Sequence, residues 1–137
     1  MKNCIIDASI AAKWIFYEKD SDQAEIFLKK IDRMLVPYLF LIEMSSIISK
    51  KVRKRELSIS EALEKRKELE DLNFQVFSEK AILKLAFDIS VSLPITIYDA
   101  NYLALAIKKE GKLYTSDNRL VNGLSTTVFK DYVENPL

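Results

Sequence analysis

The sequence contains no histidine among its 137 residues. This absence excludes serine–histidine–aspartate and cysteine–histidine catalysis, RNA cleavage by paired histidines, and most zinc sites. If the chain is a hydrolase, its base and its electrophile therefore come from carboxylates, lysine or a metal ion. The single cysteine, Cys4, has no partner for an internal disulfide and lies in an apolar run, which predicts a core position.

Long apolar runs are also missing, and charge of neither sign is in excess. No run reaches the roughly 18 residues of a membrane-spanning helix, and the first residues show no signal-peptide pattern. We therefore expect a cytoplasmic protein with no membrane segment. Because 21 basic residues face 20 acidic ones, any nucleic-acid surface has to be a local patch. The length fits one domain, residues 1–137.

Short apolar segments with strand character alternate with helical segments. Strands are predicted at residues 2–6, 35–37, 74–77, 113–115 and 126–129, with a tail at 133–137. Helices are predicted at 9–17, 21–33, 38–54, 58–72, 78–92 and 98–109. Ser21 and Ser78 are predicted caps, Ser58 and Glu61 form a capping box, and Gly111 ends the last helix. The alternation predicts an α/β domain with a mostly parallel sheet, whose sites form beyond the carboxyl ends of the strands.

Four acidic residues stand in apolar surroundings, unlike the acids on charged helix faces. They are Asp7 and Asp117, each just after a predicted strand, Glu43 within an apolar helix, and Asp99 near the start of another. An ionised carboxylate near a core costs several kcal/mol unless it is paired or bound to a cation. Four carboxylates in one cleft would repel one another, so the cluster needs a cation, and oxygen ligands suit Mg²⁺ or Mn²⁺.

Each of these acids also has a structural explanation. Asp7 and Asp117 can be turn or cap residues at strand ends, and Asp99 can be a helix N-cap. Glu43 has no capping role inside a helix, so its structural alternative is a buried ion pair with Lys13 or Arg119. Glu43 is therefore the strongest single indication of a site.

Four motifs, in order, carry a family likeness: IDAS at residues 6–9, PYLFLIEMSS at 37–46, YDANYLALA at 98–106 and LYTSDNRL at 113–120. Over nearly the whole chain they resemble PIN domains, and more closely the VapC-type toxins of type II toxin–antitoxin systems. The resemblance implies a Rossmann-like α/β/α sandwich with about five strands and Mg²⁺- or Mn²⁺-dependent endoribonuclease activity. It also implies a homodimer and a VapB-type antitoxin whose C-terminal segment covers the acidic site.

The resemblance assigns metal binding and catalysis to the same four acids, Asp7, Glu43, Asp99 and Asp117. Ser9 and Thr115 match small hydroxyl residues that often accompany the first and last acids. They are predicted to orient ligands or water, and a cap or strand-end role is the alternative. Some relatives carry another acid after the last one, whereas Asn118 and Arg119 stand here, which leaves a one- or two-metal site open.

Basic residues crowd the end of the predicted helix at 38–54, namely Lys50, Lys51, Arg53, Lys54 and Arg55. Placed near the cleft, they can hold RNA phosphates. The alternative is a solvated face that complements the negative C-terminus of the helix. The aromatic residues Trp14, Phe16 and Tyr17 lie close to the first acid, and we expect core or partner contacts there rather than platforms for stacked bases.

Three other functions fit parts of the pattern. A phosphoaspartyl enzyme also places an aspartate after its first strand, but it needs a second acid two residues later, where Ser9 stands, or an acid pair at that strand. A PIN module that binds without cleaving usually loses its acids, and all four are present. A PIN nuclease of RNA processing usually carries extra domains, and a neighbouring antitoxin gene would separate a toxin from such an enzyme.

Overall fold

A parallel sheet forms the centre of residues 3–137, which are the part of the chain that the computed structural model describes. Its five strands run in the order β3-β2-β1-β4-β5, and each neighbouring pair is parallel. They are β1 (Asn3–Ile6), β2 (Arg33–Pro37), β3 (Phe74–Phe77), β4 (Lys112–Tyr114) and β5 (Val133–Glu134). This confirms the predicted α/β class; the predicted strand position at Lys2 lies outside the described residues.

Helices connect successive strands and cover the sheet. They are α1 (Ala8–Ile15), α2 (Ser21–Leu28), α3 (Tyr38–Arg53), α4 (Ile59–Asp71), α5 (Lys80–Ser92), α6 (Ile97–Lys108) and α7 (Asn118–Leu124), with a 3₁₀ turn at Lys130–Tyr132. α6 packs on β1, β2 and β4, whereas α1 packs against α2 and α3. None of these helices has the length and apolar character needed to cross a bilayer.

The core is densest where the central strands meet α6. Cys4, Ile5 and Ile6 of β1 are all buried, as expected of a central parallel strand covered on both faces. The burial of Cys4 confirms its predicted core position. In α6, residues 102–106 are all buried, and Ala104 and Ala106 add little bulk beneath the sheet. α6 is therefore held firmly against the strands, and its first turn reaches their carboxyl edge.

Gly111 is required by close packing rather than by an unusual backbone angle. A Cβ at this position would collide with the carbonyl oxygen of Asn3 and lie 2.8 Å from Ile5 Cδ1. The helix does end nearby, and the Gly111 N–H donates to the Ala106 carbonyl at 2.8 Å. The positive φ of 51° belongs to Glu110 instead. The predicted helix end is thus correct, but glycine is needed there so that the chain can pass close to β1.

The predictions for the C-terminal strand were wrong. Residues 126–129 form turns, and the fifth strand is Val133–Glu134, within the segment predicted as a tail. The Thr127 hydroxyl donates to the Leu124 carbonyl at 2.7 Å and accepts the Phe129 N–H at 3.1 Å. Such local bonds favour a turn over a ladder despite the β-branched composition. The helix Asn118–Leu124 was not predicted at all.

Helix limits near the predicted caps also differ. The helix predicted at 21–33 ends at Leu28, which leaves room for β2 to begin at Arg33. Ser21 is not its N-cap, because its hydroxyl accepts the Glu18 N–H and donates to the Phe16 carbonyl. Ser78 does not cap α5 either, since Glu79 occupies the N-cap position. The capping box of α4, between residues 58 and 61, is confirmed.

Candidate active site

The four predicted acids lie at the carboxyl edge of the sheet, on four different elements. Asp7 follows β1, and Asp117 follows the neighbouring strand β4. Glu43 lies on α3, which begins directly after β2, and Asp99 lies in the first turn of α6. All four are half-buried. Because β2, β1 and β4 are adjacent in the sheet, the elements that follow them converge, as is usual for sites in parallel sheets.

Asp7 is held by two hydroxyl donors on the same oxygen. Its Oδ2 accepts hydrogen bonds from Thr115 Oγ1 at 2.7 Å and from Ser9 Oγ at 2.9 Å. Its backbone N–H donates to the Tyr114 carbonyl at 3.1 Å, which continues the β1–β4 pairing by one residue. With Oδ2 occupied by donors, Oδ1 is the oxygen left for a ligand.

Ser9 and Thr115 also join the ends of the two strands. Thr115 is fully buried, and its hydroxyl accepts the Asp117 N–H at 3.1 Å. The Ser9 hydroxyl accepts the Ser116 N–H, also at 3.1 Å. Both residues therefore contact the acidic cluster directly, as a role in orienting it requires. That they orient a ligand or a water molecule stays a prediction.

Asp117 is a helix cap, which is the structural alternative considered for it from the sequence. It is the N-cap of α7, and its Oδ1 accepts the Arg119 N–H at 3.0 Å. The Arg119 side chain is 96% exposed and lies 3.8 Å from the same carboxylate, so this pair contributes little to stability. A capping role does not remove Asp117 from the cluster, because its charge raises the pKa of Asp99.

Glu43 has no cationic partner among the described residues, so the buried ion pair considered from the sequence is wrong. Lys13 pairs with Glu18 at 3.4 Å, and Arg119 lies beside Asp117. Glu43 Oε1 instead accepts a hydrogen bond from the Tyr102 hydroxyl at 2.5 Å. Burial raises the pKa of Glu43; the Tyr102 hydrogen bond opposes this shift, and the charges of two nearby acids, Asp7 and Asp99, add to it.

Asp99 is not the N-cap of its helix, which corrects the alternative considered from the sequence. Thr96 is the N-cap, and its hydroxyl accepts the Asp99 N–H at 3.1 Å. Burial is the largest cause of the raised pKa of Asp99, followed by the charges of Asp7 and Asp117. Each of these acids therefore feels at least one other, and the four form one electrostatic cluster.

The donor set of this cluster fits a hard divalent cation. It offers carboxylate oxygens only, which are the ligands that Mg²⁺ and Mn²⁺ prefer. Burial is the largest cause of the raised pKa values of Glu43 and Asp99, and the charges of neighbouring acids add to it; a cation would relieve that repulsion. Within residues 3–137, however, no three acids lie close enough together to form a ready-made set of metal ligands. The four acids therefore share one electrostatic environment, but among the described residues they do not form a closed set of metal ligands.

Tyr102 belongs to the site although it was not among the predicted site residues; it lies within the motif at residues 98–106. It is buried, and it stands three residues after Asp99, so both side chains lie on one face of α6. A tyrosine within an otherwise aliphatic buried stretch, one helical turn from a candidate acid, is the signal that could have identified it, because a buried hydroxyl needs a partner.

The basic residues lie farther along α3 than the acids. Lys50 is seven residues after Glu43, on the same helix face and about 10 Å away along the axis. Lys51 is half-buried, and its ammonium group lies 4.7 Å from the centre of the Phe16 ring. The remaining three, Arg53, Lys54 and Arg55, are exposed. The basic residues at the end of α3 therefore lie near the acidic cluster but do not contact it.

The three aromatic residues near the first acid divide between core and surface. Trp14 and Phe16 pack against the core, and the Trp14 indole N–H donates to the Ala24 carbonyl at 2.7 Å. Tyr17 is 83% exposed. This agrees with the predicted core contacts for two of them and leaves Tyr17 available to a partner.

Comparison with known proteins places the chain in a family. Residues 4–122 match the sequence pattern of the PIN domain, and the chain therefore belongs to the PIN-domain family. It is also similar to Ribonuclease VapC3 of Pyrobaculum aerophilum, with 33% identity over 118 residues, which cover 85% of this chain and 90% of that protein.

Solved structures share the same fold. A toxin–antitoxin complex from Klebsiella pneumoniae contains a chain that superposes with a TM-score of 0.71 at 14% identity, over 98% of both chains. FitAcB from Neisseria gonorrhoeae gives a TM-score of 0.72 at 12% identity, over 97% of both chains. At these identities the likeness establishes the fold, and it confirms the PIN-like architecture expected from the sequence.

The electrostatic cluster predicts an unusual pH dependence for Glu43→Gln in metal-free buffer with a chelator. Folding raises the pKa of Glu43 above its ordinary value of 4.5. The stabilisation that this group contributes is fully present below pH 4.5 and is lost as pH rises through the raised pKa. Glutamine keeps the shape without this charge. We expect the variant to melt at or above the wild-type temperature at pH 7, with the difference shrinking as pH falls below the ordinary carboxyl range.

The control is Glu64→Gln, which removes an exposed carboxylate outside the cluster and should leave the pH dependence of the melting temperature as in the wild type. A loss of roughly 3–5 kcal/mol on Glu43→Gln, the cost of a broken buried ion pair, would show that Glu43 has a structural cationic partner after all.

Proposed function

We propose that the protein is a metal-dependent endoribonuclease and the toxin of a type II, VapBC-type toxin–antitoxin pair. The observation that carries the proposal is the convergence of four half-buried carboxylates at one sheet edge, in a chain without histidine. The similarity to a protein named as a ribonuclease, at 33% identity over most of both chains, supports RNA as the substrate.

In this proposal Asp7, Asp99 and Asp117 hold Mg²⁺ or Mn²⁺, and Glu43 either binds the ion or orients the attacking water. When bound, the ion supplies Lewis acidity, which lowers the pKa of a coordinated water and stabilises charge on phosphoryl oxygens. Glu43 Oε1 is occupied by the Tyr102 hydroxyl, so Oε2 is the atom that accepts a hydrogen bond from water. We expect water to attack directly, without a covalent enzyme intermediate, and the chain has no histidine to activate a serine, threonine or cysteine nucleophile.

The RNA strand extends from the acids along α3. Lys50 and Lys54 are seven and eleven residues after Glu43, so they share its helix face and are the members of the basic run best placed to contact phosphates next to the cleaved one. Lys51 is engaged by the Phe16 ring and contributes less. Since such contacts release counterions, binding weakens as salt rises.

The test is RNA cleavage by wild type and Asp7→Asn, with Mn²⁺ or Mg²⁺ and with excess chelator. Asparagine keeps the size of Asp7 and loses the charge that the ion requires, so we expect cleavage to fall by ~10²-fold or more, as when an essential catalytic group is removed. Asp88→Asn, an exposed change on α5 outside the cluster, should cleave like the wild type.

Cleavage that survives the chelator, or that is equal in Asp7→Asn, would contradict the proposed chemistry. Binding of RNA without any cleavage would favour the alternative of a PIN module that recruits a partner. Cleavage confined to precursor RNA, with no toxicity, would favour the alternative of a PIN nuclease of RNA processing.

In this proposal the partner is a VapB-type antitoxin. The toxin is a homodimer to which the antitoxin binds, and the complex lies in the cytoplasm. A chain of the same fold occurs in a toxin–antitoxin complex from Klebsiella pneumoniae. On this protein, a cleft of about 510 Å³ between α1, α2 and α4 is lined by Trp14, Tyr17, Leu28 and Leu72, with both basic and acidic residues at its sides. An amphipathic segment of a partner fits such a surface.

Co-expression with the product of the adjacent gene should yield a complex that survives purification. Tyr17→Lys places a charge on the cleft and should reduce the amount of partner recovered. Val128→Lys changes an equally exposed residue, which is 85% exposed and does not line the cleft, and should leave recovery unchanged. A protein that is active as a nuclease yet harmless when overexpressed alone would contradict the toxin assignment.

A further inference from the structure

Tyr102 is one of the largest fully buried side chains in the described residues, with 2% of its surface exposed. Its ring packs within the core, while its hydroxyl contacts one of the four acids, Glu43. The hydroxyl donates to Glu43 Oε1 at 2.5 Å, across the gap between α6 and α3. No other hydrogen bond to the Glu43 carboxylate is found within residues 3–137.

The same hydroxyl lies near the start of α1. The backbone N–H of Ala8, at the start of that helix, is near enough to the Tyr102 hydroxyl to oppose part of the rise in its pKa. Ala8 directly follows Asp7. One buried atom therefore connects α6, which carries Asp99, with α3, which carries Glu43, and lies near the turn that carries Asp7.

The charge state of this hydroxyl is fixed by its surroundings. Burial, followed by the charges of Asp7 and Glu43, raises the pKa of Tyr102 far above its usual range. The geometry agrees with a neutral hydroxyl, since the Tyr102 O–H is the donor in its hydrogen bond to Glu43 Oε1.

Glu43 needs such a donor to stay in the cluster. Its carboxylate is half-buried, faces the like charges of Asp7 and Asp99, and has no cationic partner in the described part of the chain. A glutamate side chain has several rotatable bonds, and repulsion alone would turn it towards solvent. A short hydrogen bond to one oxygen opposes that movement and leaves the other oxygen available.

We propose that Tyr102 is a positioning residue for Glu43: its hydroxyl holds Oε1 so that Oε2 is presented to the cation and the attacking water. The catalytic consequence rests on the proposed nuclease function, whereas the effect on Glu43 itself does not. Partners that orient metal ligands in this way typically contribute about 10- to 100-fold to metal affinity or activity.

The experiment is a double-mutant cycle on Tyr102→Phe and Glu43→Gln, with metal affinity and cleavage as separate readouts. Tyr102→Phe removes one hydroxyl and keeps the ring that fills the core. Mn²⁺ affinity is measured by titration calorimetry, and kcat and KM are measured at a temperature at which every variant is folded. Tyr132→Phe, a half-buried tyrosine outside the cluster, is the control and should behave as the wild type.

The expected result is that Tyr102→Phe lowers Mn²⁺ affinity or kcat by roughly 10- to 100-fold, with KM for RNA unchanged. In the Glu43→Gln background the same change should cause no further loss, because its effect acts through the missing carboxylate. An equal loss in both backgrounds, or no loss in either, would overturn the positioning role, and a fall in melting temperature alone would assign Tyr102 to core stability.

The two proposals fail in different ways. A wild-type protein that binds Mn²⁺ but cleaves no RNA would overturn the nuclease function, and the metal-affinity cycle would still decide the role of Tyr102. A wild-type protein that cleaves RNA, but in which the two substitutions act additively on both readouts, would overturn the positioning role alone. Absence of Mn²⁺ binding by the wild type would overturn both.

Discussion

Repulsion among four carboxylates at one edge of the sheet is the constraint on which the rest of the site depends. Asp7, Glu43, Asp99 and Asp117 stand on four separate elements, and burial together with neighbouring charges raises the pKa of two of them, Glu43 and Asp99. Such an arrangement costs free energy in a folded protein without a cation. Natural sequences retain unfavourable clusters of this kind where a site requires them.

The surrounding structure supplies a hydrogen-bond donor for nearly every one of these charges. Ser9 and Thr115 donate to Asp7, the Arg119 N–H donates to Asp117, and Tyr102 donates to Glu43. These donors hold the carboxylates in place but do not neutralise them. The negative charge is therefore kept for a ligand, and the donors also fix which oxygen of Asp7 and Glu43 is left to bind it.

Much of this arrangement could be predicted from the sequence. The parallel sheet followed from strands alternating with helices, and the positions of Asp7 and Asp117 followed from the rule that sites form after strands. Glu43 was identified because an acid inside an apolar helix has no local explanation. The fifth strand was misplaced because it is only two residues long and its pairing with β4 depends on residues far away in the chain, whereas residues 126–129 have strand composition but local turn bonds.

The role of Tyr102 in the site could not be predicted from the sequence. Its sequence position marks it as a core residue of α6, and nothing local indicates that its hydroxyl reaches Glu43, 59 residues earlier in the chain. Likewise, Lys13 was a plausible cation for an ion pair with Glu43, but in the structure Lys13 pairs with Glu18. Which polar partners meet across elements is decided by packing, and packing is not encoded in any one motif.

If the four acids act as one cation site, removing the charge of Asp99 should weaken Mn²⁺ binding, which titration calorimetry of Asp99→Asn measures. Asp99 contributes charge to the cluster, but its side chain caps no helix, so the variant should fold normally. We expect Mn²⁺ to bind the wild type and the control Asp88→Asn alike, and to bind Asp99→Asn at least about 10-fold more weakly. Equal affinity in Asp99→Asn and the wild type would show that the four acids do not form one cation site.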